Sequence, residues 1–384
     1  MDNIELRKKI AKNAKRVVIK LGTRLLTGGF EAIPSVVEDV ASLIRDGKEV
    51  IVVSSGSVGL GMEAMNLKTR PRKLSQAQAL AALGQSKLMA FYERECAKHG
   101  FHAAQILLTA GDLRDRKRHI NVLNCIDALW RQGNLPVVNE NDSVSVDEIR
   151  LGDNDTLAAL LAVMTRADLL IILTTVDGLM EPGENGAAFG GRIPLVSEIT
   201  NEIGALAEGT DDSSLSTGGM ATKIAAAAMV ARAGARTVIA NGRGKNTVAR
   251  VLKGEDVGTL FLPVSNKRMR SKKTWFDFFS TPAGKIVIDD GAVEALTRKG
   301  KSLLPSGIVR VEGDFERGDT VEILSGNGEL VAKGLANLDS DDLAEIAGKK
   351  SAEARKILGP VDDEAVHRDN MVVEPGKRPP VQTS

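Results

Sequence analysis

Cysteine and histidine are scarce in this chain, with two and four residues among 384. Cys96 and Cys125 lie far apart in sequence, so neither a disulfide framework nor a zinc cluster is expected, and a reducing cytoplasm fits best. No two histidines stand at metal-ligand spacing. His99 and His102 fall where a helical pattern gives way to a strand, and they read as surface residues. No apolar run approaches the roughly 18 residues needed to span a bilayer. The opening "MDNIELRKKIAKNAKR" is basic but lacks an apolar core and a small-residue cleavage site, so no secretory signal is expected. A strong charge of either sign is also missing. The formal net charge of +1 gives no global field toward nucleic acid or an anionic membrane.

What is present is core. Hydrophobic residues make up 43% and charged residues 26%, an ordinary balance for a chain whose length calls for two domains. Apolar, β-branched runs recur at 16–21, 49–55, 103–109, 135–139, 168–176 and 236–241, with helical patterns at 76–98, 119–132, 155–165 and 218–233 between them. Continuous apolar strands imply burial on both faces, and helices between strands imply a largely parallel sheet. The expected fold of residues 1–262 is therefore a three-layer α/β/α sandwich. Residues 263–284, with a basic cluster, three Phe and a Trp, read as a linker. From 285 to 366, short strands and turns such as "SGNGE" suggest a small β-rich barrel. Residues 367–384 read as a loosely ordered tail.

Ligands of parallel α/β sheets bind beyond the carboxyl ends of the strands, so each strand can be asked what it delivers there. The first delivers Lys20 and then "LGT". The second delivers Ser54, Ser55 and Gly56, opening "GSVGLG". The fourth gives "NENDS" (139–143) and the fifth gives Thr174 and Thr175. A long loop then leads to "STGGMATK" (216–223), which opens a helix. Lysines, glycines, hydroxyls and carboxylates, with no histidine base or nucleophilic cysteine, make an inventory for binding phosphate. Neither glycine stretch has P-loop spacing, and "GSVGLG" inverts the dinucleotide fingerprint. Each could be a plain turn before a helix. Two strand-to-helix glycine turns accompanied by Lys20 and Lys223 favour anion binding at helix N-termini. Lys223 supports this, because a cation in a first helical turn opposes the helix dipole.

The stretches "VVIKLGTRLLTGG", "VIVVSSGSVGLGM", "QALAALGQSKLMAFYE", "PVVNENDSV", "IRLGDNDTLAALLA" and "GTDDSSLSTGGMATKIAAA" together resemble the glutamate 5-kinase family of the amino-acid kinase superfamily. Residues 285–360 look like the PUA domain that many bacterial members carry. The resemblance runs from about 17 to 360, and the order of the motifs is more specific than any one of them.

This resemblance implies ATP-dependent phosphorylation of the L-glutamate 5-carboxylate, the first step of proline biosynthesis, with Mg2+ held largely by ATP oxygens and water. It implies that Lys20 and Lys223 contact the phosphates, with Asp155 orienting both. Ser55, Gly56, Asp142 and Asn154 match substrate-binding positions, Asp142 meeting the ammonium group. Lys20, Gly22, Thr174, Thr175 and Thr217, Gly218, Gly219, Met220, Ala221, Thr222 and Lys223 match nucleotide-binding positions. Feedback inhibition by proline and a homo-oligomer, dimer or tetramer, also follow from the resemblance. Two departures stand out: "TTVDGLM" has Thr175 where Asp is usual and Met180 where Tyr is usual. "GTR" after Lys20 and "SVS" after Asp142 read as neutral loop variation.

Related kinases of acetylglutamate, aspartate or UMP share the lysines and glycine turns, whereas "NENDSV", "GDNDT" and the PUA-like segment favour glutamate. A non-catalytic RNA-binding or regulatory protein on this scaffold is the reading from another class. Residues 284–360 carry 11 Lys and Arg against 14 Asp and Glu. That balance disfavours RNA, which needs a basic footprint.

Overall fold

The computed structural model describes residues 2–26, 32–144, 153–183, 189–208, 219–265, 269, 271–360 and 363–374. The chain divides into two compact units, Met1–Met269 and Arg270–Ser384.

The first unit begins with α1 (Asn3–Asn13), β1 (Arg16–Leu21), α2 (Thr23–Leu26), α3 (Ala32–Arg45), β2 (Glu49–Ser54), α4 (Ser57–Ala64) and α5 (Leu74–Ala97). It continues through β3 (Ala103–Leu108), α6 (Ala110–Arg114), α7 (Arg116–Arg131), β4 (Leu135–Glu140), α8 (Asn154–Met164) and β5 (Leu169–Thr174). After these come β6 (Met180–Pro182), β7 (Phe189–Arg192), β8 (Leu195–Val196), α9 (Asn201–Glu208), α10 (Met220–Arg232), β9 (Arg236–Asn241), α11 (Thr247–Leu252) and β10 (Thr259–Phe261). Eight strands form one sheet in the order β3-β4-β2-β1-β5-β9-β10-β8, while β6 and β7 pair separately. Every neighbouring pair in the large sheet is parallel except β9 with β10.

The six long strands are those expected from apolar runs. Strands β8 and β10 are two and three residues long, too short to leave a periodic signal. Alternation within β1 explains the layers. Val17, Ile19 and Leu21 pack into a core with Val37 and Val40 of α3, Leu88 and Tyr92 of α5, and Val248 of α11. Val18 and Lys20 point to the opposite face, where α8 lies against β1. Asp155 and every residue from Leu157 to Met164 of α8 are buried, as in a helix enclosed by protein on all sides. β1 sits between β2 and β5, with β2, β3 and β4 to one side and β5, β8, β9 and β10 to the other. The crevice beyond its carboxyl end is the topological switch point at which such sheets bind ligands.

Helices α4 and α5 cross at glycines. A Cβ on Gly84 would lie 1.7 Å from the Ser57 carbonyl oxygen, and one on Gly61 would lie 2.0 Å from that of Leu80. Neither position accepts a side chain unless the backbones part.

The second unit holds α12 (Ser271–Phe278), β11 (Gly284–Ile288), α13 (Asp290–Thr297), β12 (Ile308–Gly313), β13 (Thr320–Ser325), β14 (Leu330–Leu335), α14 (Ser340–Ile346), α15 (Ser351–Leu358) and β15 (Met371–Val373). Its five strands run β12-β11-β13-β14-β15. Ile286, Ile288, Val321, Ile323, Val331, Leu343 and Ile346 belong to its core.

Two boundary expectations change. Residues 271–278 of the expected linker are a helix in this unit, with Trp275 and Phe276 buried. Met371–Val373, expected in the tail, pair with β14 as a fifth strand, because Met371 has core to cover. Residues 375–384 lie outside the described residues. Among the described residues no helix is long and apolar enough to cross a membrane.

Gly84→Ala is expected to destabilise the protein by about 1–3 kcal/mol through overpacking, measured by urea denaturation.

Candidate active site

The ends of β1, β2, β4 and β5 and the starts of α4, α8 and α10 build the site. At the end of β1, Lys20 is 5% exposed and its ammonium lies 2.6 Å from Asp155 Oδ1. From the first turn of α10, Lys223 Nζ lies 3.1 Å from Asp155 Oδ2, and the Thr222 hydroxyl donates to the same oxygen at 2.8 Å. Lys223 Nζ also donates to the Gly219 carbonyl at 3.0 Å. One carboxylate thus holds two buried ammonium groups from different elements. Burial opposes the charge on Asp155, yet Lys20 and Lys223 outweigh it and hold the carboxyl below the usual carboxylate range. Burial pulls Lys223 below its ordinary value, against the attraction of Asp155 and with added repulsion from Lys20.

The three polar residues that begin α8 divide their work. Asp153 is the N-cap, its Oδ1 accepting from the Thr156 amide at 2.7 Å. That frees Asn154 and Asp155 to turn toward the strand ends. Asn154 Nδ2 donates to Ser55 Oγ at 2.8 Å, to Asn139 Oδ1 at 2.9 Å and to the Ser54 carbonyl at 3.2 Å. Gly56 follows Ser55 with φ +104°, a left-handed conformation natural only to glycine, and turns the chain into α4. One residue on, the Ser57 hydroxyl donates to Asp142 Oδ2 at 3.3 Å.

These groups open on a cleft. Of the expected residues, Lys20, Gly22, Ser55, Asn154, Thr174, Thr175 and Lys223 line it. Asp155 lies beneath its two lysines, and Asp142 joins through Ser57. The Gly22 amide donates to the Leu173 carbonyl at 3.3 Å, and a Cβ there would sit 3.9 Å from Lys20 Nζ. Glycine therefore leaves space beside that cation. Met220 is buried, Ala221 is exposed, and neither lines the cleft. Thr217 and Gly218 lie outside the described residues.

Sequence reasoning missed Gln85, Asn139 and Ser57, which stand behind the cleft, and Arg24, which lines it. Arg24 had a signal, a basic residue four places after Lys20. Gln85 had none, since it sits within an ordinary helical pattern. Two buried cations, a glycine-made space and hydroxyls beside them suit a polyanion, with the Ser55, Asn154 and Asp142 cluster adjoining to hold a second, polar ligand.

Comparison with known proteins agrees with this class of site. The model of the amino acid kinase family matches residues 15–241, and that of the PUA domain matches 284–358. The chain belongs to the amino acid kinase family. At the level of particular proteins, it is 45% identical over 374 residues to the glutamate 5-kinase of Trichlorobacter lovleyi, covering 96% of this chain and 99% of that one. It is 43% identical over 376 residues to the glutamate 5-kinase of Pelobacter propionicus, with 96% and 100% covered. The glutamate 5-kinase of a Thermoanaerobacter species is 42% identical over 364 residues, with 93% and 97% covered.

Replacing Asp155 with Asn leaves two buried ammonium groups without their counter-charge and should cost about 3–5 kcal/mol of stability at neutral pH. A lysine whose folded pKa is lowered binds fewer protons than in the unfolded chain. The stability of Asp155→Asn should therefore rise as pH climbs from neutral toward 10. Urea titrations across that range would measure it, and a flat profile would refute the lysine assignment.

Proposed function

We propose that this chain transfers the γ-phosphoryl group of ATP to the side-chain carboxylate of L-glutamate, giving glutamyl 5-phosphate and ADP. The observation that carries this is the pairing of Lys20 and Lys223 on Asp155 beside the Ser55, Asn154 and Asp142 cluster. The full-length relatives named glutamate 5-kinase support the choice of acceptor.

A carboxylate is already ionised at neutral pH, so the nucleophile needs no general base. Among the described residues no histidine lines the cleft. An acceptor oxygen bonds to the γ-phosphorus while the bond from that phosphorus to the β,γ-bridging oxygen breaks, and that electron pair leaves with ADP. Charge spreads over the equatorial oxygens, and catalysis reduces to placement and neutralisation. Lys20 and Lys223 supply the neutralisation from two sides. Asp155 fixes both ammonium groups before substrate arrives, so they need not reorganise during the transfer. Ser55 donates to the acceptor, and Asn154 and Asp142 receive its ammonium group. Gly22, Thr174, Thr175 and the stretch 217–223 hold the nucleotide, where Thr175 offers a hydroxyl in place of the usual carboxylate.

Mg2+ would neutralise the nucleotide phosphates. Among the described residues no group of three acidic, histidine or cysteine side chains could hold a metal ion. The ion would therefore rest chiefly on phosphate oxygens and water. Asp153 Oδ2, buried at the cleft with no hydrogen-bond partner among the described residues, is a protein oxygen that would join it. The acyl phosphate would serve proline synthesis, with proline as an inhibitor acting near the acceptor cluster, in a homo-oligomeric cytoplasmic enzyme.

ADP release measured with L-glutamate, N-acetylglutamate, aspartate and UMP, each with and without proline, tests the reading. Turnover is expected with glutamate, and turnover with another acceptor alone would overturn it. Asn154→Ala should chiefly raise the glutamate KM, by about tenfold for one lost hydrogen bond. Asp155→Ala should chiefly lower kcat. The reverse pattern would exchange the two assignments.

A further inference from the structure

Behind the Asn154 cluster stands a second row of polar side chains. Asn139, at the end of β4, is 3% exposed, and Gln85, on the buried face of α5, is 9% exposed. Asn139 Nδ2 donates to Gln85 Oε1 at 2.9 Å and reaches Ser57 Oγ at 3.5 Å. Asn139 Oδ1 accepts from the Glu140 amide and from Asn154 Nδ2, each at 2.9 Å.

The direction of this chain is fixed at both ends by backbone groups. A backbone N–H can only donate, so the Glu140 amide compels Asn139 to turn its oxygen that way and its NH2 toward Gln85. A backbone carbonyl can only accept, so Ser54 compels Asn154 to turn its NH2 inward. With its NH2 directed at Ser54, Ser55 and Asn139, Asn154 has its oxygen left for the cleft. Ser55 Oγ already accepts from Asn154, so its O–H remains to donate. The cleft therefore receives one acceptor, suited to an ammonium group, and one donor, suited to a carboxylate.

We propose that Gln85 is a positioning residue of the acceptor site, and that its required property is a hydrogen-bond acceptor facing Asn139. Without that acceptor the Asn139 NH2 is buried with only the long contact to Ser57. The amide keeps its direction from the Glu140 N–H but loses its anchor to α5, so the oxygen to which Asn154 donates is held less firmly and the placement of Asn154 in the cleft loosens. The inference rests on the amino-acid acceptor proposed above. It extends that reading to a residue that lines no part of the cleft.

Tyr92 provides an internal control. It lies seven residues on, on the same face of α5, fully buried, with its hydroxyl donating to Ser54 Oγ at 2.9 Å. Tyr92→Phe thus removes a buried hydrogen bond from the same helix without touching either amide.

The test compares the wild-type chain with Gln85→Met, Gln85→Glu and Tyr92→Phe. Gln85→Met should raise the glutamate KM by about tenfold, with the ATP KM and kcat within about twofold. Gln85→Glu keeps an acceptor and should restore KM to within about threefold of wild type, a tolerance well under one hydrogen bond. Tyr92→Phe should lower stability and leave KM unchanged. An unchanged KM in Gln85→Met, no rescue by Gln85→Glu, or an equal rise in Tyr92→Phe would each overturn the proposal. In protein labelled with 15N-asparagine, Gln85→Met should also abolish the protection of the Asn139 side-chain NH2 against hydrogen exchange. That readout needs no substrate. If the wild type phosphorylates no amino-acid carboxylate, the function fails while the exchange result still decides the role of Gln85.

Discussion

A single buried carboxylate organises this molecule's chemistry. Asp155 has no exposed surface, and its two oxygens are occupied by ammonium groups carried on β1 and α10. Burying one carboxylate and two lysines is costly, and the arrangement persists only because each charge meets its partner at contact distance. Charges enclosed this way keep their geometry. When a polyanion arrives, two cations are already aimed, and the protein has little left to rearrange. The fold serves that constraint. β1 carries Lys20 between the two halves of the sheet, α8 brings Asp155 across its face, and α10 packs on α8 to bring Lys223 within reach.

The acceptor side of the cleft relies on a different principle, direction rather than charge. Its groups are neutral amides and hydroxyls whose orientation follows from backbone donors and acceptors at the ends of β2 and β4. Helix α5 supports the end of β4 from behind through Gln85. The glycine crossing with α4 fixes how closely that helix approaches. In the proposed reaction one half of the site would stabilise charge, and the other half would discriminate by hydrogen-bond polarity. A phosphoryl transfer to an amino-acid carboxylate requires both.

Much of the fold was legible in the sequence. Long apolar strands separated by amphipathic helices leave a periodic imprint, and six strands of the main sheet carry it. Strands β8 and β10 carry none, because two or three residues do not complete a pattern. The helix at 271–278 was obscured by its surroundings. "NKRMRSKK" reads as a solvated run, and burial of Trp275 and Phe276 is a property of the folded unit. Lys20, Lys223 and the "GDNDT" turn were legible as candidates because charge and amide at strand ends and helix starts are unusual enough to notice. Arg24 was visible but passed as loop variation.

The sequence by itself determined the strand-helix alternation, the positions of the glycine turns and the side chains available for phosphate chemistry. All of these are local properties, set within a few residues by propensity and spacing. Beyond the roles that the family resemblance implies for Asn154 and Asp155, only the tertiary structure decided which contacts each of three adjacent polar residues makes. Asp153 caps its own helix, Asn154 turns to the ends of β2 and β4, and Asp155 reaches two lysines that are 135 and 68 positions away in the chain. Such assignments depend on which groups burial brings to contact distance. Hydrogen bonds and ion pairs between distant residues follow from packing, and no local pattern records them.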